Sequence, residues 1–232
     1  MTPLPRVLAC ALLSTLLSPA SAQVDLTGSV SLQSDYRYRG QTPGDSGIVP
    51  QLTLNLDGNG GWYVGGFASP VTINQRYGYK LQAYAGYAQR MGSTWSWEAG
   101  CSHIGYTQVH VNDFQECYGG LSAERISTRL YYSPRYFGYA ARVLYGELNL
   151  FYPLHPRVNL IAHGGLLYNL SDGVWPGIPA KSRYDARLGV SLPFGKWTLQ
   201  VAREFGQDDG IRYSSYPVHP AKRWSAGLSY AF

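Results

Sequence analysis

The sequence predicts an all-β protein: a transmembrane antiparallel up-and-down β-barrel of about twelve strands, preceded by a cleaved signal peptide. Three observations predict it. The final segment places Trp224, Ala226, Leu228, Tyr230 and Phe232 on one face and Ser225, Gly227, Ser229 and Ala231 on the other. The same period of two recurs along the whole chain. The connections between alternating segments are tight on one side and longer and more polar on the other, as in barrels with short turns at one rim and loops at the opposite rim.

The N-terminus reads as a secretory signal. Arg6 supplies a positive start, Val7 to Leu17 is an apolar run, and Ala20-Ser21-Ala22 is a small-x-small cleavage site. The expected organisation is therefore a signal peptide over residues 1–22 and a single barrel domain over residues 23–232. The apolar run is too short for a membrane-spanning helix. Val7-Leu8-Ala9-Cys10 loosely matches a lipoprotein box but leaves no room for an apolar stretch before the cysteine.

Composition agrees. Charged residues make up 14% of the chain, below the quarter typical of soluble domains. Mean hydropathy is −0.20, as expected where every second strand residue faces water. Loss of Arg6 would lower the formal charge of +5 by one, and no basic run points to nucleic acid. Partners are therefore expected to be outer-membrane lipid, the barrel assembly machinery and small solutes. No cofactor is implied.

The first strand is expected over Val24–Arg39. Val24, Leu26, Gly28, Val30, Leu32, Ser34, Tyr36 and Tyr38 alternate there with Asp25, Thr27, Ser29, Ser31, Gln33, Asp35, Arg37 and Arg39. The second sets Leu52, Leu54 and Leu56 against Gln51, Thr53, Asn55 and Asp57. Further strands are predicted over Gly61–Val71, Tyr79–Arg90, Trp95–Gly105, Asp113–Glu124, Ser127–Ser133 and Tyr139–Phe151. Arg157–Leu170, Lys181–Leu192, Lys196–Phe205 and Lys222–Phe232 complete the set. In Tyr139–Phe151 either parity leaves a charge, Arg142 or Glu147, on the apolar side, and a bulge would shift the phase. Tight turns fall at 57–61, 90–93 and 192–195, and longer loops at 40–47, 70–78, 106–112, 171–180 and 206–221. A lipocalin-like barrel with its apolar face inward would share the alternation; the terminal aromatic and the alternating loop lengths favour the membrane barrel.

Ser34-Asp35-Tyr36-Arg37-Tyr38-Arg39-Gly40, Gly61-Trp62-Tyr63-Val64-Gly65 with Ala68-Ser69, Tyr131-Tyr132-Ser133-Pro134 and Leu228-Ser229-Tyr230 carry a family resemblance. On these motifs the chain resembles the TorF-type porins of proteobacteria, also grouped as Gcw_chp. The resemblance implies an outer-membrane barrel that acts as a diffusion channel. It implies no substrate and no catalytic residues. Trp224, Leu228, Tyr230 and Phe232 also resemble the C-terminal signature by which such barrels are recognised for assembly.

Cys101 and Cys117 are expected to pair. With a loop at 106–112 centred on residue 109, the two lie equally far from the turn and face each other across the hairpin. The compartment beyond the inner membrane is oxidising. These two with His103 are too few for a metal site, and none is expected.

Parity turns Asp35, Arg37 and Arg39 on the first strand into the lumen, together with Lys181, Arg183, Asp185 and Arg187 on the tenth and Gln200 and Glu204 on the eleventh. Facing charges of both signs select solutes by charge and size in a water-filled pore. In a dry lumen the same residues pair into a plug. The favoured function is passive diffusion of small solutes, anions among the candidates, through the outer membrane of a Gram-negative bacterium. A closed structural or adhesive barrel and an outer-membrane hydrolase are the alternatives. The protein is not expected to be an enzyme: among its histidines only His103 and His110, with Asp113 near, approach one hairpin rim, and no Gly-x-Ser-x-Gly motif occurs.

Overall fold

In the computed structural model, twelve strands close into one antiparallel barrel in which every strand pairs with its neighbours in sequence and β1 pairs with β12. The structure describes residues 24–41, 47–73, 75–173, 175, 178–179, 181–206 and 224–232. The expected signal peptide and the loop over 206–221, apart from Gly206, lie outside the described residues. The strands are β1 (Val24–Gln33), β2 (Val49–Gly58), β3 (Trp62–Ile73), β4 (Arg76–Met91), β5 (Trp95–Tyr106) and β6 (Phe114–Ala123). They continue with β7 (Ile126–Ser133), β8 (Val143–His155), β9 (Val158–Asn169), β10 (Ser182–Phe194), β11 (Trp197–Gly206) and β12 (Trp224–Ala231).

Register fixes which side each residue faces. Leu26, Val30 and Leu32 pair with Leu56, Leu52 and Pro50, placing the apolar rows of β1 and β2 side by side. These rows point outward: Leu26, Leu54, Leu166 and Leu188 are all exposed. An apolar band of this extent around a whole barrel is a lipid-facing surface, and it rules out the lipocalin-like alternative. Aromatic side chains edge the band. Trp62 packs on Tyr87 at 5.1 Å and Trp197 on Tyr230 at 4.9 Å on the turn side. Tyr79, Tyr132, Tyr184 and Trp224 are exposed on the loop side.

Backbone bonds join the seam at the chain's end. Phe232 N–H donates to the Gly28 carbonyl at 3.0 Å, and Gly28 N–H donates to the Phe232 carbonyl at 3.2 Å. The Phe232 ring lies so close over Gly28 that a Cβ there would overlap it.

Three expectations are corrected. The first strand ends at Gln33, not Arg39. The predicted loop over 70–78 is mostly strand: β3 runs to Ile73, β4 starts at Arg76, and Gln75 in the short turn has φ 61°. Pro70 caused the error. It sits on the outward row of β3 opposite Tyr79, and the ladder passes through it unbroken. The parity conflict in Tyr139–Phe151 needs no mid-strand bulge, because β8 starts at Val143. Arg142 stays outside the strand, and Glu147 turns inward opposite Arg129. The register shift in β8 falls at Pro153/His155, beside the turn.

Candidate functional site

The segment after β1 leaves the wall and folds into the lumen. Ser34 anchors the departure to β12: its N–H donates to the Ala226 carbonyl at 2.7 Å, and its Oγ accepts from Ala226 N–H at 2.9 Å. Tyr38 and Gln41 then exchange both backbone hydrogen bonds, at 2.9 and 3.0 Å, around Arg39 and Gly40. Both central residues have positive φ, 51° and 76°, the conformation of a tight primed turn. Gly40 adopts it freely; Arg39 bears a backbone cost of order 1 kcal/mol.

What holds Arg39 there comes from strands across the barrel. Its Nη2 donates to Glu116 Oε1 at 2.9 Å and lies 2.8 Å from Oε2. Its guanidinium stands 4.5 Å from the Tyr145 ring, 4.9 Å from Tyr131 and 5.0 Å from Tyr38. Only 5% of the Arg39 side chain and 2% of the Glu116 side chain reach solvent. Beside this pair Lys80 Nζ donates to Tyr36 Oη at 3.2 Å and sits 3.5 Å from the centre of the Tyr38 ring. Among the described residues no carboxylate forms an ion pair with Lys80. The cluster therefore holds two basic side chains and one carboxylate in an aromatic cage.

The loop-side lumen around it is packed. Phe114, Tyr136, Phe137, Ile104, Leu167 and Ile178 form a buried apolar cluster with Tyr36. Burial pushes the Tyr136 phenol, in the β7–β8 loop, above its ordinary range. That loop turns inward at Phe137 and Gly138, both with positive φ, and a Cβ on Gly138 would collide with the Val111 carbonyl oxygen.

The turn-side lumen is polar. Glu98 accepts from Arg129 Nε at 2.5 Å and Nη2 at 3.2 Å, and from Tyr63 Oη at 2.9 Å. Tyr63 and Tyr118 share a hydrogen bond of 2.7 Å, and Tyr84 donates to Asn55. On the other wall His163 bridges Asn149 at 2.7 Å and Asp185 at 3.0 Å.

The sequence-predicted residues sort as follows. Asp35 and Arg37 form an ion pair of 2.7 Å in the inward segment, not on a strand. Arg39 is buried against Glu116, as above. Tyr36 and Tyr38, expected to face lipid, pack inside instead. Arg183, Asp185 and Arg187 face inward on β10, opposite Leu167, Gly165 and His163. Gln200 and Glu204 face inward on β11, and Glu204 accepts from Ser225 Oγ at 2.6 Å. Lys181 is corrected: it precedes β10, is exposed, and its ammonium lies 5.0 Å from the Tyr168 ring on the outer side.

Cys101 and Cys117 are direct register partners joined by a disulfide, on the lipid-facing side of β5 and β6. His103 faces outward beside them, away from the His110–Asp113 pair, whose atoms lie 3.2 Å apart at the loop rim. Trp224, Leu228 and Tyr230 form the outward row of β12. Sequence reading missed Lys80, Glu116, Glu98 and Arg129. Each is a charge on the inward row of a long alternating strand, and that signal was available.

A family model described as "Bacterial protein of unknown function (Gcw_chp)" matches residues 18–171. The chain belongs to this family. Its label does not include the TorF-type designation. No curated protein matches the chain. Among solved structures, the KdgM porin superposes with a TM-score of 0.55 at 13% identity, covering 89% of this chain and 99% of that one. The NanC porin gives 0.54 at 12% identity, with 89% and 99% covered. The KdgM porin in complex with disordered oligogalacturonate gives 0.53 at 14% identity, with 89% and 98% covered. At these identities the likeness is one of fold: the chain has the architecture of outer-membrane porins.

Proposed function

We propose that the protein is a non-enzymatic, porin-like channel of the Gram-negative outer membrane that passes small anionic solutes by diffusion. The inward segment Ser34–Gln41 forms its constriction. The observation that carries this reading is the Arg39–Lys80–Glu116 cluster. A constriction that places two basic side chains against one carboxylate in an aromatic wall favours anions over cations. Porin neighbours support the channel class, and the tyrosines and charges of the turn-side lumen supply the polar path leading to the constriction. The signal peptide over residues 1–22 and delivery to the barrel assembly machinery belong to the same proposal.

Planar-bilayer recording of the refolded, heat-modifiable barrel tests it. Discrete conductance steps are expected, with a reversal potential in a salt gradient that reports anion preference. Lys80→Gln should move that potential towards cation preference. A folded barrel that inserts without conductance would overturn the channel and leave a closed barrel. Conductance with unchanged selectivity in Lys80→Gln would remove the anion assignment.

A further inference from the structure

Among the described strand residues, one charged side chain faces lipid. Along the described strands, the outward rows set by the pairing registers hold apolar, small or uncharged polar residues, and Arg203 of β11 is the single Lys, Arg, Asp or Glu among them. It stands between Leu188 of β10 and Trp224 of β12, both exposed on the outer surface. Its guanidinium lies 5.5 Å from the Trp224 ring and 5.9 Å from the Phe205 ring. Among the described residues it forms no ion pair.

Depth makes this position informative. Trp197 marks the turn-side aromatic edge of β11, and Arg203 is six residues further along the same strand. That is about 20 Å along the strand. At the tilt of such barrels it is roughly 15 Å of height in an apolar band about 25 Å tall. Arg203 therefore sits on the loop side of the midplane, about 10 Å below the loop-side border of the band, level with Trp224 and long enough to reach towards the headgroups. A guanidinium stays charged in any protein environment. At this depth its cost lies between the roughly 2–4 kcal/mol of the midplane and the about 0–1 kcal/mol of the border, and a headgroup phosphate that meets the guanidinium offsets it.

We infer that Arg203, framed by Trp224 and Phe205, binds the phosphate of a phosphorylated lipid in the loop-side leaflet. The planar fork of donors matches phosphate oxygens bidentately. The apolar row of Leu188, Val190 and Val201 beneath it gives the acyl chains a path. The two rings hold the guanidinium in place while leaving its edge donors free. The inference rests on the transmembrane barrel and is independent of conduction.

The test uses the full-length mature barrel in detergent, titrated with diphosphoryl lipid A and with the same lipid enzymatically dephosphorylated. Bound lipid is counted by native mass spectrometry. Wild type should retain the phosphorylated lipid preferentially. Arg203→Leu should weaken its retention about tenfold, the equivalent of one lost charge-assisted contact. Retention of the dephosphorylated lipid should stay unchanged. Arg203→Gln, which keeps length and polarity, serves as the neutral variant should the leucine protein fail to fold. Equal retention of both lipids by wild type, or retention by the neutral variant within twofold of wild type, would overturn the inference.

Discussion

Glu116→Gln is the sharpest perturbation of the constriction. Glu116 is buried, and it is the one carboxylate paired with Arg39, with Lys80 beside it. Removing its charge strands the Arg39 guanidinium, with Lys80 beside it, among Tyr36, Tyr38, Tyr131 and Tyr145. Breaking one side of a buried ion pair costs about 3–5 kcal/mol, most of it the penalty of the stranded charge. Arg39→Met in the wild-type background should cost a similar amount, because it strands Glu116 and also loses the ring contacts. The double variant strands neither partner. Only the cation–π contacts of Arg39 are then missing, worth about 1–2 kcal/mol. The two substitutions should therefore be far from additive, with a coupling of at least about 4 kcal/mol on these costs. Urea unfolding of the barrel folded in phospholipid vesicles, read by tryptophan fluorescence and by the electrophoretic shift of the folded form, measures all three. Conductance recorded on the same samples should rise in Glu116→Gln as the inward segment loosens. Additive costs, or a Glu116→Gln penalty below about 1 kcal/mol, would refute the account of the constriction as held by an ion pair in an aromatic cage.

The other lumen arginines should divide by burial. Arg187→Ala should shift the reversal potential towards cations with little change in unfolding midpoint, whereas Arg37→Ala, which strands the buried Asp35, and Arg183→Ala, buried opposite Leu167, should lower the midpoint; a selectivity shift without stability loss in Arg183→Ala would contradict this. Deleting Phe232 should reduce the yield of inserted barrel well beyond an ordinary terminal truncation, since it removes both the terminal aromatic and the backbone pair with Gly28; unchanged insertion would show that neither matters. Gly138→Ala should destabilise the loop-side core by about 1–2 kcal/mol, read as a fall in unfolding midpoint, because φ is 75° and the added Cβ meets the Val111 carbonyl.

Much of the barrel was legible from the sequence because lipid and water impose opposite demands on successive residues. Alternation alone placed Arg183, Asp185, Arg187, Gln200 and Glu204 on the inner face, and it gave the outward row of Trp224, Leu228 and Tyr230. Symmetry about the β5–β6 turn placed Cys101 opposite Cys117. What alternation reports is which face a residue would take in a strand; it does not report whether a neighbour is there to pair with. The ladders reach Gln33, which pairs with Val49 on one side and Gly227 on the other, and go no further along the chain. The alternation of Asp35, Tyr36, Arg37, Tyr38 and Arg39 continues unbroken past that point, so the sequence reads as wall where the chain has turned inward. Its destination depends on Lys80 of β4, Glu116 of β6, Tyr131 of β7 and Tyr145 of β8, residues brought within reach of Arg39 and Tyr38 only when the barrel closes. Local patterning thus determined the wall and its two faces. Closure of the barrel decided what fills the lumen, because a buried charge adopts its position from partners distant in the chain.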